Sequence, residues 1–206
     1  MNQAQLQALL TKVQQGVIAV PDALHRLRTL PYENLGFASL DHHRALRQGF
    51  PEVIFCEGKT VPQVMAIAKT LLRKNNSLLA TRVEPSVARA LLRVSKRAIY
   101  HEAARVVAIA PPKLVRRGSV MIVTAGTADI PVAEEARVTA DIMGSKTDTL
   151  YDVGVAGLHR LLGQQERLHE ARALIVVAGM DGVLPSVVGG VVRQPVIAVP
   201  TSRGYG

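Results

Sequence analysis

Three nearly unbroken apolar runs punctuate the second half of the chain: MIV at 121–123, ALIVVA at 173–178 and VIAV at 196–199. Runs without alternating polar positions suit parallel strands covered on both faces. They predict strands at 120–124, 147–151, 173–178 and 195–199, with helices between them at 131–143, 155–168 and 184–192. This alternation is that of a doubly wound α/β domain, seen from its first strand through its fourth. The first half is patterned differently. Leu6, Leu9, Leu10 and Val13 recur at helical spacing, a second helix follows Pro21 and Asp22, and Pro31 closes the pair. A strand at 52–56, a helix at 61–74, a strand at 78–83, a helix opened by Pro85 and reaching about 94, and one or two strands within 98–110 follow. Pro111, Pro112 and Lys113 form a stiff break. The domains expected are therefore 1–112, a helical arm with a small α/β unit, and 113–206, the larger α/β unit.

Composition narrows the class. With 48% hydrophobic and 20% charged residues, the 206-residue chain has the makings of a folded globular protein. No apolar stretch reaches the roughly 18 residues that cross a membrane. The amphipathic N-terminus has no signal-peptide core, which points to a cytoplasmic enzyme or binding protein. Cys56 stands alone, so an internal disulfide is excluded, and no Cys/His pair has zinc-ligand spacing. The net charge of +9 is lopsided, with +8 carried by residues 1–110 and +1 by the rest. That imbalance indicates either an anionic partner or a solvated basic surface. Aromatics make up 3% with no Trp, and no RNA-stacking motif accompanies the charge, so nucleic acid is the weaker partner.

Candidate chemistry gathers where the second-domain strands end. Thr124, Gly126, Thr127 and Asp129 follow the first strand, ahead of Pro131. They could hydrogen-bond sugar hydroxyls or phosphate oxygens, or simply cap the next helix. The loop is neither a Walker sequence nor GxGxxG. His159 and Arg160 lie early in the next helix, suited to proton exchange and phosphate binding, or to plain surface exposure. Gly179, Met180 and Asp181 form the turn after the third strand. Gly189 and Gly190, inside a helix, suggest close approach of a ligand, a strand or another subunit. In the first domain, Arg44 and Lys59 are candidate phosphate partners, and Asp41 and Glu57 candidate ligands for a hydrated Mg²⁺. Surface ion pairs are the alternative for these four.

The stretches VTAGTADIPVAEEARVTA, YDVGVAGLHRLL, VVAGMDGVLPSVVGGVV and PVIAVPTSRGYG together resemble the LarB family, pyridinium-3,5-biscarboxylic acid mononucleotide synthases of nickel-pincer cofactor biosynthesis. LPYENLGFASLDHHRALRQGFPEVIFCEGKT resembles that family's N-terminal region. The second domain is similar, more distantly, to the PurE class of aminoimidazole ribonucleotide carboxylases. The resemblance implies a PurE-like doubly wound parallel sheet preceded by a smaller α/β domain. It also implies a carboxylase and hydrolase acting on nicotinic acid adenine dinucleotide and CO₂ or bicarbonate, with Mg²⁺, in a homo-oligomer, an octamer. Asp181, His159 and Asp129 would be the catalytic groups. Thr124, Gly126, Thr127, Arg160, Gly179, Met180, Arg44 and Lys59 would bind substrate. The family's nucleophilic cysteine lies in a helical segment after the PTSxGYG motif, and the sequence given stops at Gly206. Incomplete catalysis by these 206 residues is thus expected. Asp181 stands where the family has Glu, Ala128 where Ser is usual, and Arg203 is unusual. Competing readings are a PurE-type carboxylase of the purine pathway and a noncatalytic nucleotide-binding module.

Overall fold

The computed structural model describes residues 3–28 and 32–202, so Pro31 and the final stretch containing Arg203 lie outside the described residues. The chain divides into two compact units, one of Met1–Tyr100 with Val107–Pro112, the other of His101–Val106 with Lys113–Gly206.

The first unit opens with helices α1 (Gln3–Gln14) and α2 (Val20–Arg28). A small antiparallel pair, β1 (Glu33–Asn34) and β2 (Ser39–Leu40), and the short α3 (Arg44–Gln48) follow; the sequence pattern gave no sign of these pieces. Elements this short carry too few residues for a period to register. Strand β3 (Ile54–Phe55) is shorter than the predicted 52–56. Helix α4 (Val61–Lys74) matches its prediction residue for residue. Its start is fixed by a capping box, with Thr60 Oγ1 accepting from the Gln63 amide at 3.4 Å and Gln63 Oε1 accepting from the Thr60 amide at 2.9 Å. Then come β4 (Leu78–Thr81), α5 (Pro85–Leu92), β5 (Ile99–His101) and β6 (Val106–Ile109). The sheet order is β3-β4-β6-β5, with β3 parallel and β6 antiparallel to β4. Val64, Leu71, Leu78, Leu91 and Ile109 fill the core beneath α4 and α5.

The second unit is a parallel sheet of β7 (Ser119–Thr124), β8 (Lys146–Leu150), β9 (Ala173–Ala178) and β10 (Val196–Pro200). Between them run α6 (Ile130–Ile142), α7 (Leu158–Leu162), α8 (Gln165–Glu170) and α9 (Leu184–Val191). The order β10-β9-β7-β8 makes this the expected doubly wound α/β arrangement, with the direction of winding reversing at β7. Such a reversal opens a crevice at the carboxyl ends of the central strands. The helix predicted at 155–168 is in fact a 3₁₀ turn (Val155–Gly157) followed by α7 and α8. The break falls at Gly163 and Gln164, whose amides close tight turns on the carbonyls of His159 and Leu161 at 3.0 and 2.9 Å. Glycine disfavours helix interiors, so the chain kinks there.

Helix α6 is fastened to the sheet by charge as well as by packing. Tyr151, one residue past β8, donates its hydroxyl to Glu134 Oε1 at 2.5 Å, and Arg137 holds both oxygens of Glu134 at 2.7 and 2.8 Å. The Arg137 guanidinium keeps the Glu134 carboxyl below its ordinary value of 4.5, aided by the tyrosine hydroxyl and opposed by burial. Burial and the carboxylate push the Tyr151 phenol up to about 12. Replacing Glu134 by Gln is expected to cost about 1–2 kcal/mol at neutral pH, measured by denaturant unfolding. A depressed carboxyl contributes stability above its unfolded value and loses it as pH falls through the folded value. The gap between wild type and Glu134→Gln should therefore narrow below about pH 4; a gap that is constant with pH would show the ion pair to be idle.

Candidate functional site

The first strand-end loop is built from the inside out. Thr124 is wholly buried; its hydroxyl oxygen accepts from the Asp152 amide at 3.0 Å, and its carbonyl from the Val153 amide at 3.0 Å. The Ala125 amide reaches across to the Val177 carbonyl at 3.0 Å. Thr124 is thus a fastening between β7 and the loop after β8, rather than a group presented to a sugar or phosphate. Asp129, 4% exposed, accepts from the Gly126 amide through Oδ2 at 3.0 Å and from the Thr201 hydroxyl through Oδ1 at 2.7 Å. The Thr201 amide in turn donates to the Ala178 carbonyl at 3.0 Å. Capping of the 3₁₀ turn Thr127–Asp129 and cross-linking to the end of β10 are the roles this geometry gives Asp129. Thr127 and Ala128 stand exposed beside it.

The second loop folds close against the first. Asp152 adopts a left-handed backbone (φ 59°), and its Oδ2 accepts from Arg160 Nη1 at 2.6 Å. A Cβ on Gly154 would lie 2.7 Å from the Ala125 carbonyl oxygen, and one on Gly157 would lie 2.6 Å from Arg160 Nε. At the first point the obstacle is backbone, so only glycine leaves room for the loop; at the second the flexible guanidinium could give way. Arg160 is therefore drawn back onto its own loop, while His159, on the first turn of α7, is exposed.

The third loop is the most open. Gly179 is half-buried, Met180 is 66% exposed and Asp181 is exposed. Gly182 (φ 70°) closes the turn, its amide donating to the Gly179 carbonyl at 2.6 Å. Because β7, β8, β9 and β10 are parallel, all these loops emerge on one edge of the sheet. Thr127, His159, Met180 and Asp181 supply its accessible side chains, and Thr124 and Asp129 its buried frame. Thr201 and Asp152 were not singled out from sequence. Their partners lie 72 and 8 residues away, and only the unexplained glycines at 154 and 157 hinted at such crowding.

Of the first-unit candidates, Asp41 and Arg44 meet, through the Arg44 backbone amide that helps hold the Asp41 carboxyl down. Asp41 is engaged by Arg47, 2.6 Å from Oδ2, and by the His43 amide, 2.9 Å from Oδ1, and the guanidinium holds its carboxyl below the usual range. Glu57 is exposed in the turn after β3 and, among the described residues, shares no hydrogen bond with Asp41. Lys59 donates to the Phe55 carbonyl at 2.7 Å and sits 5.8 Å from that ring's centre. Arg44 is half-buried at the start of α3. Among the described residues no three acidic, His or Cys side chains cluster as metal ligands. With a guanidinium already on Asp41, the pair named for Mg²⁺ does not fit the ion. Cys56 is buried, and burial pushes its thiol up to about 11, the state of an inert core sulfur.

Comparison with known proteins agrees with this two-part architecture. A family model described as LarB/PurE-like N-terminal domain matches residues 32–111, and one described as AIR carboxylase matches residues 119–205. An uncharacterized protein of Methanocaldococcus jannaschii is 37% identical over 212 aligned positions, covering 98% of this chain and 82% of that protein. The chain belongs to the LarB family, joining a LarB/PurE-like N-terminal domain to a domain of the AIR carboxylase family.

Proposed function

We propose that the protein carboxylates the pyridinium ring of nicotinic acid adenine dinucleotide, using CO₂ or bicarbonate. It then cleaves the phosphoanhydride, giving pyridinium-3,5-biscarboxylic acid mononucleotide and AMP for a nickel-pincer nucleotide cofactor. The observation that carries the reading is the pairing of a LarB-type N-terminal domain with an open carboxylase-family strand edge. On that edge His159, Asp181 and Thr127 stand exposed around the buried Asp129.

The chemistry sets the demands. A cationic pyridinium is a poor nucleophile until a thiolate adds to it and makes the ring electron-rich. The C5 carbon then bonds to the carbon of CO₂, the C5 proton passes to a base, and expulsion of the thiolate restores the aromatic ring. Water attacks the phosphoanhydride and releases AMP. His159 and Asp181 are the groups assigned to the proton transfer, since both reach solvent at the crevice. Cys56, buried in the other unit with a raised pKa, is not the thiolate. The resemblance assigns that role to a segment following the 200–206 motif. Arg160 would serve the phosphate only by leaving Asp152, and Gly126, Gly179 and Met180 form the backbone rim.

A homo-oligomer, an octamer by the same resemblance, completes the reading. A Cβ on Gly189 or Gly190 would meet nothing within 4 Å, so packing within the chain does not require glycine at either position. Their open face supports a subunit contact. Light scattering should find an assembly of several copies, and a monomer at micromolar concentration would remove this part of the proposal.

Three further outcomes are expected. The full protein incubated with nicotinic acid adenine dinucleotide and bicarbonate should yield AMP and the doubly carboxylated mononucleotide by mass spectrometry. Carboxylation of aminoimidazole ribonucleotide instead would transfer the protein to the PurE reaction, and dinucleotide binding without turnover would favour a binding module. Gly154→Ala should lower kcat/KM on the order of 100-fold by displacing the loop that carries His159. Asp129→Ala should cost about 2–3 kcal/mol of stability, because it strands a buried amide and a hydroxyl.

A further inference from the structure

The first two helices leave part of their apolar surface bare. In α1 apolar residues recur at Leu6, Leu9, Leu10 and Val13, and Val17 continues the spacing past the helix end. In α2 they recur at Val20, Ala23, Leu24 and Leu27. Each set is a broad stripe of the kind a helix turns toward a packed layer. Burial runs in order across both stripes. On the first, Leu9 is 7% exposed, Leu6 and Val13 are half-buried, and Leu10 and Val17 are 53% and 69% exposed. On the second, Ala23 is 6% exposed, Leu27 is half-buried, and Val20 and Leu24 are 59% and 61% exposed. One flank of each stripe is covered and the other is bare.

The two helices pack on each other, and the short connection 15–19 makes them an antiparallel hairpin. Right-handed helices running in opposite directions, with their covered flanks turned to the seam, carry their bare flanks to the same side. Leu10, Val17, Val20 and Leu24 therefore open together as one apolar face. At these exposures the four side chains offer on the order of 400 Å², comparable with the largest and often functional patch of a monomeric protein. Charge sets this face apart as well. Lys12 is the sole charged residue between Gln3 and Val20, and helical spacing turns Lys12, Asp22 and Arg26 away from both bare flanks. The chain as a whole carries +9, so charge opposes contact between two copies over much of the surface. Here it does not.

We infer that the α1–α2 hairpin is a self-association element whose occupant is the same hairpin of a second copy, the two stacking into a four-helix bundle. Two helix layers closing over a shared apolar core are the ordinary solution for such stripes. The contact is isologous and separate from the one supported at Gly189 and Gly190, which lies in the other unit. Pairing buries about 800 Å² from these side chains, below the roughly 1,200–2,000 Å² of a stable standard interface. The contact is therefore weak by itself and gains strength inside a larger assembly. A membrane surface suits the hairpin less well, because helices that lie on one carry rows of Lys and Arg on the polar face, and α1 has Lys12 alone.

The test is sedimentation equilibrium of the whole protein over a wide concentration range. Wild type is expected to show an association step that Leu10→Glu/Leu24→Glu weakens by about tenfold or more, with unchanged far-UV circular dichroism. Leu10→Lys/Leu24→Lys should lose the step likewise. An equimolar mixture of the acidic and basic variants should recover it, because opposite charges then meet across the contact. A step lost in both variants and not recovered in their mixture would mean that the face binds something other than its own copy, and would overturn the inference. Equal association of wild type and both variants would overturn it too. So would a fall in helicity of either variant, which would show these leucines to be covered within their own chain. Binding of wild type to phosphatidylserine vesicles, lost in the acidic variant with no change in mass, would assign the face to a membrane instead.

Discussion

A buried carboxylate is unfavourable unless hydrogen-bond donors replace the water it has lost. Asp129 meets that condition with a backbone amide from its own turn and a hydroxyl from the far end of the sheet. The consequence reaches beyond one side chain. The Gly126 amide fixes the shape of the first loop, and Thr201 ties the end of β10 to it while its own amide holds β9. Three strand ends are thereby set at defined positions, and the exposed groups around them have a rigid base from which to act. A neutral apolar residue could fill the space but would leave both donors unmatched.

How much of this was legible in the sequence depended on the range of the interaction. The parallel strands were readable because both of their faces are covered, so the residues themselves are apolar throughout; β9 was predicted to the residue. Helix α4 was readable from its Thr60 cap and its periodicity. The broken helix after β8 was not, because Gly163 inside a helical pattern marks a break only when tight turns are available on both sides of it. The candidate loops were marked by their glycines and prolines. The roles of their side chains were not, because a side chain's role depends on what faces it. Thr124 fits either a ligand contact or a local structural role by sequence, and Asp152 and Val153 use its oxygens for the latter. Asp41 fits either a metal ligand or a surface ion pair by sequence, and Arg47 against it makes it the ion pair. In both cases the residue type was right for the chemistry, and its hydrogen-bonding capacity was already taken up within the fold.

The two units also manage charge differently. In the second, Arg116, Arg137, Arg160 and Arg167 each meet a carboxylate, and the unit is close to neutral. Exposed pairs of this kind add little stability individually, but they leave no net field to attract an anion. In the first unit Arg47 and Arg73 meet carboxylates while, among the described residues, Lys69, Arg89, Arg93 and Lys96 are in no ion pair, and an excess of cations raises the local concentration of anions near the surface.

The closeness of Gly154 to the Ala125 carbonyl has a dynamic consequence. With Asp152 and Val153 also bonded to Thr124, the loops after β7 and β8 have no slack between them and must move as one plate. The turn after β9 has no such restraint: it is closed by one short-range bond at Gly182 and carries the exposed Met180 at its tip. Among the described loops, opening of the crevice therefore falls to that turn, and amide exchange should be fast at Met180 and Asp181 while it stays slow at Asp152 and Val153.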